Sequence, residues 1–250
     1  MSTSLRVASP RRYALITGAS RGIGAAIALR YAQEGIQCIL AGRNYQSLEK
    51  VRVSLNHSAI DGQMKHRSLV GDVRDESFWG EIKKEKHINI LVNAAGITHF
   101  SPLVVTSSVL LREVLEINLL GTILGCKFVG KNMIALRGGC IINIASLLGV
   151  RGGKGSTAYA ASKAGVIGLT RSLATEMGEK NVRVNVILPG YIDTEMTEAM
   201  TPDAHHLALE NIPLKRFGKA FEVADAALFL ANNNYANNCV LNLDGGLSAV

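Results

Sequence analysis

Tyr13-Ala14-Leu15-Ile16-Thr17-Gly18-Ala19-Ser20-Arg21-Gly22-Ile23-Gly24 runs directly into the helical pattern Ala25–Ala32. The first five residues read as a short buried strand, three glycines punctuate the turn, and a helix opens at once. Glycine permits a tight bend and close backbone approach. A helix starting from such a turn aims its free N–H groups and positive dipole end outward, where a pyrophosphate can lie. A tight strand–helix turn without a ligand is the alternative reading of the same residues.

Working outward, the unit repeats. Cys38–Ala41, Arg67–Gly71, Ile88–Asn93, Cys140–Ala145, Arg183–Leu188 and Cys239–Leu243 join Tyr13–Thr17 as expected strands, with helical patterns between them. Runs so continuously apolar leave no wet face. They predict an α/β fold with a seven-stranded parallel sheet flanked by helices, a single-domain, doubly wound, Rossmann-like plan. Ligands of such sheets sit at the carboxyl ends of the strands. A chain of 250 residues, 48% hydrophobic and 19% charged, fits one domain over 1–250. No linker or repeat divides it, and Asn232–Asn238 reads as a surface loop.

The same composition excludes several classes. Glu116, Asn118, Lys127, Arg171 and Glu176 break the longest apolar stretches, which stay short of the roughly 20 residues of a membrane span. Cys38, Cys126, Cys140 and Cys239 are far apart, with no C-x-x-C pair and no clustered histidines. No metal site or disulfide framework is expected, and a reducing compartment is. The formal charge of +7 is spread along the chain without a nucleic-acid-binding motif, which favours an acidic small partner over nucleic acid, a generally basic surface being the plainer reading. Met1–Gln33 holds no acidic residue, while Arg6, Arg11 and Arg12 precede the first strand. Residues 1–12 therefore read as a flexible or targeting tail, with the mitochondrial matrix as the expected destination and the cytoplasm as the alternative.

The second strand ends Leu40-Ala41-Gly42-Arg43-Asn44, without the acidic residue that would hold a ribose 2′-hydroxyl. Arg43, with Arg21, instead offers forked donors to a 2′-phosphate, so NADPH/NADP+ is expected in preference to NADH; solvated surface charges are the alternative. Farther along, Tyr159 and Lys163 stand four apart in a helical pattern and share a face. A cation beside the phenol favours the phenolate and lowers its pKa from about 10. Such a tyrosine can give its proton to a carbonyl oxygen or take one from an alcohol. Ser146, just past the fifth strand, is suited to hydrogen-bond the substrate oxygen, and Asn118 is a lone amide in the apolar face of the Ser107–Leu136 helical segment.

The spacing Gly18-x-x-x-Gly22-x-Gly24, followed in order by Asn118, Ser146, Tyr159 and Lys163, resembles the short-chain dehydrogenase/reductase family from Tyr13 to Gly246. The resemblance implies a dinucleotide lying over Gly18, Ser20, Arg21, Gly22, Ile23 and Gly24. Asp72, Val73, Asn93, Ala95 and Gly96 would hold its adenine and adjacent ribose, Asp72 accepting from the adenine amino group and Asn93 holding backbone between strands. Tyr159 and Lys163 would touch it as well as act in catalysis, while Pro189, Gly190, Ile192 and Thr194 would meet the nicotinamide carboxamide. Asn118 would bind a water linking Lys163 to solvent. Ala94 stands where the family more usually has asparagine, which puts one sheet-stabilising amide in question.

Asn211–Gly218 and Leu241–Leu247 are similar to the stretches of a subgroup, the 3-oxoacyl-[acyl-carrier-protein] reductases. This implies NADPH-dependent reduction of a carrier-linked 3-oxoacyl thioester to the 3-hydroxyacyl thioester in fatty acid synthesis, within a homotetramer. Lys127, Lys131, Arg137 and Arg171 are the expected docking residues for the acidic carrier. Thr175 replaces a basic residue of the bacterial members, and Tyr235-Ala236-Asn237-Asn238 replaces their Tyr-Ile-Thr-Gly near the tetramer contacts. Glu195–Pro213 reads as a lid whose Met196, Met200, Leu207 and Leu209 line an acyl groove or pack the lid itself. A carbonyl reductase of quinones, steroids or other ketones, and a non-catalytic NADPH-binding subunit, are the competing readings.

Overall fold

The structure is a computed structural model and describes residues 12–58, 65–198 and 200–249. Its strands are β1 (Tyr13–Thr17), β2 (Gln37–Gly42), β3 (Arg67–Val70), β4 (Ile90–Asn93), β5 (Gly139–Ile144), β6 (Val182–Pro189), a two-residue ribbon of β7 (Ile192–Asp193) with β8 (Gly218–Lys219), and β9 (Val240–Leu243). Seven of them form one parallel sheet in the order β3-β2-β1-β4-β5-β6-β9. Each expected strand is present, β1 at the expected bounds and the others with ends shifted by at most two residues. Strand order reverses between β1 and β4, so a crevice opens above their carboxyl ends.

The helices are α1 (Gly22–Gln33), α2 (Tyr45–Ser58), α3 (Glu76–Ile82), α4 (Ser108–Leu115), α5 (Gly121–Ala135), α6 (Leu148–Arg151), α7 (Thr157–Gly178), α8 (Glu195–Glu198), α9 (Pro202–Asn211) and α10 (Ala220–Asn232). Side chains alternate across a strand, so β1 feeds two cores. Ala14 and Ile16 pack with α1, α2 and α10, while Leu15 packs with α3, α5 and α7. Tyr31 anchors the first layer and Trp79 the second, both wholly buried; each such side chain contributes about 1.5–3 kcal/mol. Among the described residues no helix is long and apolar enough to cross a membrane.

Two details depart from the expected map. Arg12 belongs to the folded domain and not to the tail. Its guanidinium donates to Asn232 Oδ1 at 2.6 Å and to the Ala231 carbonyl at 3.1 Å, and Arg183 donates to the Leu230 and Ala231 carbonyls at 2.8 and 3.0 Å. The open carbonyls ending α10 attract cations. Arg6 and Arg11 lie outside the described residues. The Ser107–Leu136 segment is also not one regular helix, because a π turn at Glu116–Leu120 separates α4 from α5. The wider turn carries Asn118, and π turns are often found where a helix serves a site.

Candidate active site

The crevice begins with Thr17 at the end of β1, whose Oγ1 accepts from the Ala94 and Ala95 amides at 3.1 Å each and ties the glycine turn to the end of β4. Gly18 has φ +64°, and a Cβ there would stand 2.8 Å from the Ala94 carbonyl oxygen and the Ala95 nitrogen. A Cβ on Gly24 would meet the Gly18 carbonyl oxygen at 2.4 Å. Bare backbone thus forms the floor of a cleft of about 230 Å³. Gly18, Ser20, Arg21, Gly22, Ile23, Gly24, Arg43, Asp72, Val73, Ala95, Gly96 and Thr194 line it together. So do Gly42, Gly71, Ala94, Ile97, Ile117 and Glu195, which were not anticipated. Gly42 and Gly71 sit at the ends of β2 and β3, where the strand-end rule could have found them; Ile97 and Ile117 carry no motif signal.

Charge is distributed differently from expectation. Arg43 is exposed and forms no hydrogen bond or ion pair among the described residues. Arg21 is paired with Glu195 across the cleft, a carboxylate that the sequence reading did not place there. Asp72 faces the cleft, yet its carboxylate is forked by Arg74, Nε to Oδ1 at 3.0 Å and Nη2 to Oδ2 at 2.8 Å. The Arg74 guanidinium holds this carboxyl below the usual range. Val73 gives its carbonyl to the Trp79 indole at 2.8 Å.

Beside the cleft, α7 presents Tyr159 and Lys163 one turn apart. Lys163 is buried; its Nζ donates to the Ile144 carbonyl at 2.8 Å and lies 5.7 Å from the centre of the Tyr159 ring. Burial pushes the lysine down to about 8 and pushes the tyrosine up, a hydrogen bond with Ser146 opposing the latter. The expected lowering of the tyrosine by the lysine is therefore not produced by the chain's own groups. Desolvation disfavours both charged forms and outweighs an ammonium standing off the ring. Ser146, also buried, accepts from the Leu148 amide at 3.2 Å. Pro189 accepts from the Leu147 amide at 3.0 Å, so the end of β6 holds the Ser146 segment in place.

Asn118 is buried with its amide fully used. Oδ1 accepts from the Ile97 amide at 2.8 Å, and Nδ2 donates to the Ile97 carbonyl at 2.9 Å and to Ser162 Oγ at 3.0 Å. Ser162 in turn donates to the Tyr159 carbonyl at 2.7 Å. This serine was missed, though a buried polar residue beside Lys163 was the available signal. Gly96 joins the two regions, for a Cβ there would stand 3.3 Å from Asn118 Oδ1 and 3.5 Å from Lys163 Nζ.

Other expected contacts fall elsewhere. Asn93 does not bridge strand backbones; its Nδ2 donates to Asn143 Oδ1 at 2.9 Å, and Asn143 donates to Thr170 Oγ1 at 2.9 Å, forming a buried ladder behind the sheet. Ala94 needs no amide side chain, because Thr17 holds its backbone. Ile192 turns into the core, 5% exposed, whereas Thr194 lies 3.6 Å from the position of a Cβ on Gly22. Gly190 donates to the Leu243 carbonyl at 2.9 Å and closes the end of the sheet. In the lid, Met200 and Leu209 pack with Phe217 and Leu247 while Leu207 is exposed; the Met196 side chain lies outside what is described. Lys127, Lys131, Arg137 and Arg171 are all exposed, Lys127 standing 3.9 Å from Glu76.

Residues 12–205 match the family model described as short chain dehydrogenase. A bovine (Bos taurus) 3-oxoacyl-[acyl-carrier-protein] reductase is 40% identical over 93% of this chain and 96% of its own. Carbonyl reductase family member 4 of Danio rerio is 40% identical over 94% and 98%. Among solved structures, levodione reductase superposes with a TM-score of 0.90 at 33% identity, covering 96% of this chain and 98% of its own. A structure described as a 2-deoxy-d-gluconate 3-dehydrogenase of Agrobacterium tumefaciens, with bound NADP, superposes with a TM-score of 0.89 at 35% identity, covering 97% and 98%. Agreement of that extent, over a sheet of this order and with this tyrosine and lysine beneath its carboxyl edge, makes the chain an oxidoreductase of the short chain dehydrogenase family.

Proposed function

We propose that the chain reduces a 3-oxoacyl thioester, linked to an acyl-carrier protein, with NADPH. The observation that carries the reaction is the meeting at Gly96 of a glycine-floored cleft and a corner in which half-buried Tyr159 stands with buried Lys163 and Ser146. The cleft fits a dinucleotide: its floor would be filled by any Cβ at Gly18, and Arg43 offers an uncommitted guanidinium at its rim. The names of relatives at 40% identity support the thioester and the carrier.

When bound, reduced nicotinamide supplies hydride; the chain supplies everything else. Ser146 hydrogen-bonds the substrate oxygen and orients the carbonyl. Tyr159, kept as a neutral phenol by burial, is a loaded acid and gives its proton to that oxygen as negative charge builds there. Lys163, cationic below about pH 8, lies close enough to favour the phenolate that remains. Asn118 and Ser162 fix α7 against the Ile97 segment, and we assign Asn118 the further role of leading a proton back through water.

A second reading, reduction of quinone, steroid or other free ketones, is favoured by the carbonyl reductase relative. We also infer a homotetramer, carrier docking through Lys127, Lys131, Arg137 and Arg171, and a mitochondrial destination carried by the acid-free, arginine-bearing Met1–Gln33 stretch. The deciding experiment is NADPH oxidation with a 3-oxoacyl thioester, a quinone and a steroid ketone in parallel. Thioester turnover that requires NADPH is expected. Turnover confined to the ketones would retain the chemistry and discard the carrier-linked substrate, and tight NADPH binding without turnover would leave a non-catalytic subunit.

A further inference from the structure

We propose that Glu195 competes within the chain for the guanidinium that the cofactor's phosphate must use, and thereby governs dinucleotide exchange. The inference rests on the NADPH reading above. Arg21 stands at the N-terminal boundary of α1 on one wall of the cleft, and Glu195 is the first residue of α8 on the other. Both line the cleft and their side chains form an ion pair across it.

The pair is placed to break. The two side chains are 70% and 60% exposed, so water screens their attraction and each is hydrated when they part. The neighbouring residues hold the segment on its other side, where Asp193 pairs with Lys219 at 2.5 Å, and the Lys219 amide is itself bonded to Glu222 at 2.7 Å. Thr194, between the two pairs, lies over Gly22. Opening Arg21 from Glu195 therefore frees a guanidinium without releasing the segment from β8.

An incoming phosphate meets two arginines in unequal states. Arg43 holds no ion pair among the described residues, and the one carboxylate that feels its charge, Asp72, is already forked by Arg74, whereas Arg21 donates from Nη1 to a carboxylate that repels a second anion. Bound cofactor displaces Glu195, and Glu195 in turn helps to displace cofactor. The residue acts as a specificity and exchange determinant through Arg21, without entering the chemistry of the substrate.

The test is stopped-flow measurement of NADPH and NADH binding by the full chain, comparing wild type, Glu195→Gln, Arg21→Ala and the double variant at low and high salt. Glu195→Gln is expected to tighten NADPH about threefold, mainly through slower dissociation, with the gain shrinking at high salt. In the Arg21→Ala background the same substitution should have no effect. A gain confined to NADPH assigns Arg21 to the 2′-phosphate, and an equal gain for NADH assigns it to the pyrophosphate; both support competition. Unchanged or weaker NADPH binding in Glu195→Gln, or an equal gain without Arg21, overturns it. Wild-type protein that binds no NADPH would instead remove the functional reading beneath it.

Discussion

Around Tyr159 and Lys163 the geometry is carried by buried side chains bonded to one another and to backbone, whereas around Gly18 and Arg43 it is carried by bare backbone below and exposed charge above. The contrast matches the two tasks. A proton donor must hold one position and one protonation state, and burial enforces both. A cofactor that enters and leaves needs a floor shaped to it, which glycine provides, and charges that can be exchanged at the rim. The corner should therefore respond to pH and to loss of single atoms, and the cleft to salt and to added atoms.

The sharpest separation comes from Tyr159→Phe. Steady-state assays should show a loss of about 10²–10⁴ in kcat, the usual range for a positioned general acid, with NADPH affinity kept. A loss of cofactor affinity in proportion would erase the distinction between the two regions.

Lys163 comes next, through linkage. Its folded value of about 8 lies below the ordinary 10.5, so unfolding takes up a proton between those two values and stability rises with pH across that window. Below about pH 8 both states are protonated and the folded chain bears the whole cost of the buried charge, roughly 3 kcal/mol. Denaturant titrations should find Lys163→Met more stable than wild type at neutral pH, with the gap closing towards pH 10.5. A gap that stays constant across the window would show that burial does not depress this lysine. Reduction by the wild type should also decline as pH passes about 8, because the phenolate then loses its cationic neighbour.

Arg43→Asp should lower the ratio of NADPH to NADH efficiency by roughly 10–100-fold, the equivalent of losing charged hydrogen bonds worth about 1.5–3 kcal/mol. An unchanged ratio would take the 2′-phosphate away from this arginine. An effect on both cofactors alike is expected from Gly18→Ala, in which left-handed backbone alone costs about 1–2 kcal/mol and the new methyl meets the Ala94–Ala95 backbone. Calorimetry should find both dinucleotides weakened by about tenfold or more, and equally; selective loss of one would mean that the floor reads the 2′ position.

The sheet was legible because its central strands are largely apolar runs bounded by turn residues, although the edge strands β3 and β9 carry polar residues and exposed positions, and the cleft because its glycines lie between a strand and a helix. What escaped depended on distance in the chain or on burial. Glu195 meets Arg21 from 174 positions away, and no local spacing reports such an encounter. Tyr159 and Lys163 were rightly placed on one face of α7, but four-residue spacing cannot say how dry that face is, and dryness decides both of their proton affinities. Asn143 stood out as one amide in the apolar run Cys140–Ile144 and could have been paired with Asn93, since adjacent parallel strands bring the two into register. Arg12 lay at the expected edge of the tail, and only the position of α10 shows that it is part of the domain.

The π turn at Glu116–Leu120 also keeps two helices in phase. Its five residues turn about as far round the axis as four residues of α-helix, roughly 400°, so one extra residue is absorbed without rotating α4 relative to α5. Removing a single residue there would restore an unbroken α-helix and leave the faces of α4 and α5 pointing to the partners they now meet, but would take away the wider turn that carries Asn118. An alignment gap placed inside Glu116–Leu120 would thus mark a change confined to the wall at Asn118.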